Sequence, residues 1–162
     1  MKIKLIILSL ACVGLMTACK SKAKTISGYY DYSTECVAKG FNGSQIVKTW
    51  GIGLSQYEAE TNARIKAVDE ILFKGLRNGS ADCNMKPLIA NPNAKRDYEN
   101  YFNQFFSENG SFQNYVSFPE KNWLERKLNI NPSSDGKTAY ELVVEVDMIG
   151  LKSHLQKDNI IQ

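Results

Sequence analysis

The pattern in the first half of the chain predicts a strand, a tight turn and a second strand. Residues 29–38 are aromatic and rich in strand-forming types, and residues 45–54 form a second run of this kind. Asn42 and Gly43 lie between the two runs, and this dipeptide is typical of a two-residue hairpin turn. The sequence therefore predicts a β-hairpin.

A long amphipathic helix is predicted directly after the hairpin. Ser55 and Glu58 have the spacing of a capping box, in which each side chain accepts a backbone N–H of the first turn. The helix is predicted to run to about residue 78, where Gly79 can adopt a left-handed cap. Its apolar residues recur at helical spacing: Ala59, Ala63, Ala67, Val68, Ile71, Leu72 and Leu76. Because alanines dominate this stripe, we expect the helix to lie close against a sheet.

The middle of the chain predicts a loop over residues 80–90 and then a second helix. That helix begins at Asn91 and ends near residue 108, with Pro92 in the first turn, where its missing N–H costs nothing. A shorter helical turn is expected over residues 111–116. The aromatic residues of the second helix also recur at helical spacing: Tyr98, Tyr101, Phe102, Phe105 and Phe106.

The last third of the chain returns to strand patterns. Residues 121–130 alternate between polar and apolar types, and residues 132–136 form a turn. Residues 140–147 are the clearest strand, after which Asp147 can cap a final helix. The element order ββααββα predicts an α+β fold, with a small antiparallel sheet of about four strands and helices packed on one face.

Composition and charge exclude several classes of protein. The chain has 162 residues, of which 43% are hydrophobic and 23% are charged, as in ordinary globular domains rather than disordered or polytopic membrane proteins. Its formal net charge is +3, and removal of a leader that carries Lys2 and Lys4 leaves +1. So small a charge favours neither nucleic-acid binding nor an acidic substrate.

Residues 1–18 have the organisation of a secretory signal peptide. A short basic start is followed by an apolar stretch over residues 5–15, too short to span a bilayer. Small residues then precede Cys19, a pattern that resembles the lipobox of bacterial lipoproteins, with Met16 at the position that usually holds Leu. Cys19 is thus the expected lipidation site, residues 19–28 the lipidated tether, and residues 29–162 a single domain. The alternatives are an ordinary signal peptide with a chance cysteine near its end and a retained N-terminal membrane helix, which Lys20, Lys22 and Lys24 disfavour.

The residue after Cys19 bears on sorting. Lys20 stands where an Asp would signal retention at the inner membrane in many Gram-negative bacteria. By resemblance, we expect an outer-membrane lipoprotein that faces the periplasm.

After the expected loss of the leader and lipidation of Cys19, two cysteines remain in the domain, which is expected to lie in the periplasm. Cys36 and Cys83 would lie in an oxidising compartment, which favours a disulfide between them; two buried free thiols are the alternative. Two cysteines without a neighbouring histidine supply too few ligands for a metal site. No cofactor is expected.

The sequence holds no recognisable catalytic constellation. Gly51 and Gly53 lack the third glycine of a dinucleotide-binding loop, and no nucleophile elbow, zinc-protease motif or phosphate-binding loop occurs. The aromatic residues Tyr98, Tyr101 and Phe105 are either core or a contact patch for a small ligand or glycan.

Several short segments together carry a family resemblance. They are Trp50-Gly51-Ile52-Gly53, Ala59, Asn62-Ala63, Ala67, Phe73-Lys74-Gly75, Cys83-Asn84, Lys86-Pro87-Leu88, Tyr98-Glu99, Tyr101-Phe102 and Phe105-Phe106. With them, the mature chain resembles a family of short, uncharacterised lipoproteins of gut-type Gram-negative bacteria. More distantly, the glycine strand and alanine-rich helix are similar to the twenty-kilodalton class of outer-membrane lipoproteins and to the first domain of a flagellar basal-body T protein. This second resemblance implies a helix packed on a small antiparallel sheet and a place in envelope assemblies, and it brings no catalytic residues to transfer.

The sequence thus leads to one functional expectation and one alternative. The first is a non-enzymatic, membrane-anchored module that binds or scaffolds envelope components, with an envelope protein or a second copy of the chain as partner and no nucleic acid. The alternative is a lipoprotein that binds a small ligand or glycan through its exposed aromatic residues.

Overall fold

A computed structural model of the chain describes residues 32–119, 130–132 and 136–162. The expected leader, Cys19, the tether and the alternating residues 121–129 lie outside the described residues. The strands are β1 (Glu35–Lys39), β2 (Gln45–Gly53), β3 (Asn78–Gly79), β4 (Val116–Ser117), β5 (Ile130–Pro132) and β6 (Thr138–Val146). The helices are α1 (Gln56–Asp69), α2 (Ala94–Asp97), α3 (Glu99–Phe105) and α4 (Met148–Lys157). The α+β class predicted from the sequence is confirmed.

The predicted hairpin is present. β1 and β2 pair antiparallel, with a bulge between Cys36 and Ala38. In the connecting turn, Phe41–Gly43, residues Asn42 and Gly43 have φ angles of 54° and 79°. Asn and Gly adopt this left-handed conformation at little cost, which is why the dipeptide marks the turn.

The sheet is mixed, not antiparallel throughout. Its order is β3-β1-β2-β6, and β4 and β5 both pair with the outer edge of β6. β2 and β6 form the centre, in antiparallel register from Gln45↔Val146 to Gly53↔Thr138. β3 runs parallel to β1, so the prediction of an antiparallel sheet of about four strands is wrong in detail. After β2 the chain crosses over the sheet through helix α1 and adds β3 at the free edge of β1. Strands of two or three residues, such as β3, are too short to show a periodic pattern in the sequence.

Helix α1 lies directly on the sheet, as the alanine stripe predicts. Ala59, Ala63 and Ala67 have no exposed surface. A Cβ added to Gly51 would lie 1.8 Å from the carbonyl oxygen of Ala59. Glycine in β2 and alanine in α1 thus let the two backbones approach more closely than larger side chains would allow.

The start of α1 is as predicted, with one difference in its capping. The Glu58 N–H donates to Ser55 Oγ at 3.2 Å, as in a capping box. The carboxylate of Glu58 accepts the N–H of Leu54 at 2.8 Å, one residue before the usual donor.

The end of α1 is not where the sequence predicts. After Asp69 the helix widens into a π-helical turn, Glu70–Lys74, and ends at Gly75, which has φ 74°. The predicted cap, Gly79, lies in β3. The helix stops early because the following loop takes over its backbone hydrogen bonds, with the Leu76 N–H donating to the Met85 carbonyl at 3.1 Å.

The second predicted helix is two short ones. α2 begins only at Ala94, and Tyr98, with φ −117° and ψ 36°, separates α2 from α3. The side chain of Asn91 accepts the Asn93 N–H at 2.9 Å, a local turn that competes with a helical start at residue 91. The helical turn over residues 111–116 is confirmed as a 3₁₀ helix, Ser111–Tyr115.

The final helix and the core follow the sequence closely. Asp147 caps α4 by accepting the Gly150 N–H at 2.9 Å, as predicted. The main core fills the space between the sheet and the helices; its largest fully buried side chains include Phe112, Ile71, Leu72, Leu151 and Leu155. Within the described residues, no helix combines the length and apolarity needed to cross a membrane.

Candidate functional site

Cys36 and Cys83 are joined by a disulfide, with their Cα atoms 6.3 Å apart. Both residues are buried. The bond ties β1 to the loop that follows β3, and the Gln45 side chain supports the same loop by donating to the Asn84 carbonyl at 3.2 Å. This linkage fixes the loop beside the sheet, although the loop has no regular secondary structure of its own.

The three aromatic residues of the expected contact patch lie in different environments. Tyr98 is 39% exposed, Tyr101 is half-buried and Phe105 is only 2% exposed. Phe105 belongs to the core because Phe102 and Phe106 pack against it edge to face, with ring centroids 6.3 and 4.9 Å away. Its burial removes it from an exposed patch and leaves Tyr101 as the accessible ring of the pair Tyr101 and Phe105.

Tyr101 opens onto a groove around the histidine of the chain, which we name the histidine groove. It lies where α3, the 3₁₀ helix and α4 meet, and its volume is about 690 Å³. That volume suits a small ligand. The groove is bordered by Tyr101, Gln104, Phe105, Ser107, Asn109, Gly110, Ser111, Gln113, Asn114, His154 and Asp158.

A short hydrogen-bonded network forms one wall of the groove. The Tyr101 hydroxyl donates to Asp158 Oδ2 at 2.9 Å. His154 Nε2 lies 3.4 Å from the same oxygen and 3.5 Å from Ser111 Oγ. The imidazole is also flanked by the rings of Tyr115 and Phe105, with centroids 5.3 and 5.8 Å away. Three elements therefore hold His154 in place.

The two tyrosines beside His154 are kept neutral. Burial, together with the hydrogen bond to Asp158, raises the pKa of Tyr101 well above its usual value of 10. The pKa of Tyr115 is also raised, by burial first and then by the charges of Asp147 and Asp158. Both hydroxyls therefore remain hydrogen-bond donors throughout the physiological pH range.

The groups around His154 do not have the geometry of a hydrolytic triad, although Ser, His and Asp are all present. In a triad, one ring nitrogen faces the serine and the other donates to the carboxylate. Here both Ser111 and Asp158 are near the same nitrogen, Nε2.

A second surface lies at the hairpin turn itself, and we name it the hairpin end. It consists of Phe41 and Ile149, which are 84% and 62% exposed, with Lys39 and Lys152 beside them. Grooves of about 580 and 740 Å³ flank the turn, and Lys39 borders both. Three carboxylates, Asp82, Glu145 and Asp147, border these grooves as well.

The described part of the chain offers no cluster of three or more His, Cys, Asp or Glu residues that could hold a metal ion. Sequence reasoning missed the histidine groove, because Ser111, Tyr101 and Asp158 come from three separate segments. One local signal was available: His154 and Asp158 are four residues apart on a helix and therefore share a face.

Comparisons of this chain with protein families, with curated proteins and with solved structures found no match.

Proposed function

We propose that this chain is a non-catalytic binding module of the cell envelope. Acyl chains on Cys19 hold it at the periplasmic face of the outer membrane, and the histidine groove binds a neutral, hydroxyl-rich ligand such as a saccharide. This proposal retains the anchor expected from the sequence and locates the binding role in the groove. Membership of the family of short bacterial lipoproteins that the chain resembles is part of the same proposal.

The disulfide supports an extracytoplasmic location. Disulfides such as Cys36–Cys83 persist in oxidising compartments and are rare in the cytosol of most organisms. A secretory leader that ends at Cys19 would deliver the domain to such a compartment. The covalent structure and the leader pattern therefore point to the same side of the inner membrane.

The observation that carries the binding role is the arrangement of His154. Its Nε2 faces both Ser111 and Asp158, so the wall is a set of polar contacts and not an activated nucleophile. Side chains that project from such a wall can orient a ligand without reacting with it.

The lining of the groove favours a neutral, hydroxyl-rich ligand. Each primary amide of Gln104, Asn109 and Asn114 both donates and accepts hydrogen bonds, as sugar hydroxyls do. The half-exposed ring of Tyr101 supplies an apolar surface for the C–H face of a sugar. Among the described residues that border the groove, Asp158 carries a charge and none is a lysine or arginine, which disfavours an anionic ligand.

The anchor predicts that the protein is labelled by palmitate and sediments with membranes. Cys19→Ala should abolish labelling and release the protein, because the acyl chains are attached to that sulfur. Cys12→Ala is the matched control: this cysteine lies in the leader and its loss should leave labelling unchanged. A Cys19→Ala protein that still sediments with membranes, or an unlabelled parent protein, would contradict the anchor.

Binding in the groove is tested by titrating the purified protein with chitotriose, a neutral saccharide, and following heat or NMR shifts. Tyr101→Ala should weaken binding about tenfold, since one aromatic contact contributes roughly 1–2 kcal/mol. Tyr98→Ala removes a ring that does not border the groove and should leave affinity unchanged. Equal losses in both variants, or equal binding of trigalacturonic acid, would reject the assignment. The partners expected from the sequence are an envelope protein or a second copy of the chain. If one of them, and not a saccharide, is the ligand, a pull-down from solubilised envelope should recover it.

A further inference from the structure

We infer that the groove of about 580 Å³ beside the start of α4 binds a short apolar peptide whose two termini are free. We name it the loop groove, because α4 forms one of its walls and the loop that carries Cys83 forms another. The inference goes beyond the proposed function, since it assigns a second ligand to a separate site. Among the described residues, the loop groove and the histidine groove share no bordering residue.

The walls of the loop groove offer apolar contacts to a ligand. Met148 and Ile149 line it from the start of α4, and Leu88 lines it from the loop. Ile149 is 62% exposed, so a ligand that covers it removes apolar surface from water. The volume of the groove lies within the range of small-ligand sites and suits a peptide of two or three residues.

The charges at the loop groove have both signs and are not used within the protein. Lys152 borders the groove on α4, Asp82 borders it on the loop, and Lys39 borders it at the end of β1. None of the three forms an ion pair with another described residue. Opposite charges that border one groove without touching leave room for a ligand between them. A free peptide fits this arrangement, because its ammonium group can face Asp82 and its carboxylate a lysine.

A buried amide at the groove favours a peptide over a fatty acid or another amphiphile without N–H groups. Gln45 borders the groove and is only 3% exposed. Its Nε2 donates to the Asn84 carbonyl at 3.2 Å, whereas its Oε1 is buried and has no hydrogen-bond partner among the described residues. A buried acceptor without a donor is unfavourable. A backbone N–H of a peptide seated against Gln45 can supply that donor.

The loop wall is held in position before a ligand arrives. Cys83 stands between Asp82 and Asn84, and its disulfide to Cys36 ties this part of the loop to β1. A loop fixed in this way loses little further freedom when a ligand binds, which favours affinity. The disulfide therefore has a second consequence, since it places Asp82 at the groove.

The experiment varies the two termini of the peptide separately. Full-length protein, isolated from cells in detergent, is titrated with the tripeptide Ala-Leu-Ala, and heat is measured. The expected dissociation constant is on the order of 0.1 mM for a ligand of this size. Acetylation of the peptide N-terminus, or amidation of its C-terminus, should each weaken binding about fivefold, because each removes one charge contact. The doubly blocked peptide should bind most weakly.

Variants of the protein assign each terminus to its partner. Asp82→Asn should weaken the free peptide to the affinity of the acetylated one and leave the acetylated peptide unchanged. Replacing Lys39 and Lys152 together by Met should do the same for the amidated peptide. Lys157→Met is the matched control, since Lys157 is also exposed on α4 but does not border the groove. It should leave all four affinities unchanged.

Four results would overturn the inference. The first is the absence of saturable binding of Ala-Leu-Ala, and the second is equal affinity for the free and the doubly blocked peptide. The third is equally tight binding of decanoate, which would make the groove a site for anionic amphiphiles. The fourth is a uniform loss with all four peptides in Asp82→Asn, which would mean that Asp82 only shapes the loop. Displacement of the peptide by chitotriose would move it to the histidine groove and also overturn the inference, whereas failure of chitotriose to bind at all would reject the saccharide proposal alone.

Discussion

Replacement of Cys36 and Cys83 together by alanine should lower the free energy of unfolding by about 4 kcal/mol. The two cysteines are 47 residues apart, and the chain-entropy model gives that value for a closed loop of this length. The double variant is preferred to a single one because it leaves no buried free thiol. Urea denaturation under non-reducing conditions measures the change as a lower midpoint.

The unaltered protein in reducing agent is the matched control, and its midpoint should approach that of the double variant. Hydrogen exchange should accelerate first in the loop that Cys83 holds, at backbone bonds such as Leu76 N–H to the Met85 carbonyl. A change below about 1 kcal/mol would show that the packing around Asn84 and Met85 holds the loop without the covalent bond.

Gly51→Ala should destabilise the fold by about 3 kcal/mol or more. The new Cβ would lie 1.8 Å from the Ala59 carbonyl oxygen and 2.4 Å from the Ala63 nitrogen. Both are backbone atoms of α1, so no side chain can turn aside and the whole helix must move off the sheet. The effect is measured as a fall in the midpoint of urea or thermal unfolding, with circular dichroism to report retained helix.

Ile52→Ala is the control for Gly51→Ala. Ile52 is the next residue of β2, its side chain points to the other face of the sheet, and it is 38% exposed. Its loss should cost less than about 1 kcal/mol. An unchanged midpoint for Gly51→Ala would mean that α1 does not lie as close to β2 as the structure has it.

Local signals in the sequence determined most of the regular elements. Asn42 and Gly43 fixed the hairpin turn, Ser55 and Asp147 marked two helix starts, and the alanine stripe marked the buried face of α1. Each of these features depends on residues a few positions apart, whose side chains act on their own backbone. Local chemistry of this kind can be recognised without knowledge of the rest of the fold.

Only the tertiary structure decided where α1 ends, how the strands are ordered and which residues share a groove. α1 stops at Gly75 because the distant Met85 carbonyl accepts the next N–H, and β3 lies beside β1 because the chain crosses over the sheet through α1 before it returns to that edge. Tyr101, Ser111 and His154 meet because three separate segments pack together. Contacts between residues far apart in the chain leave no periodic mark in the sequence, and so the pattern predicted the elements but not the groove.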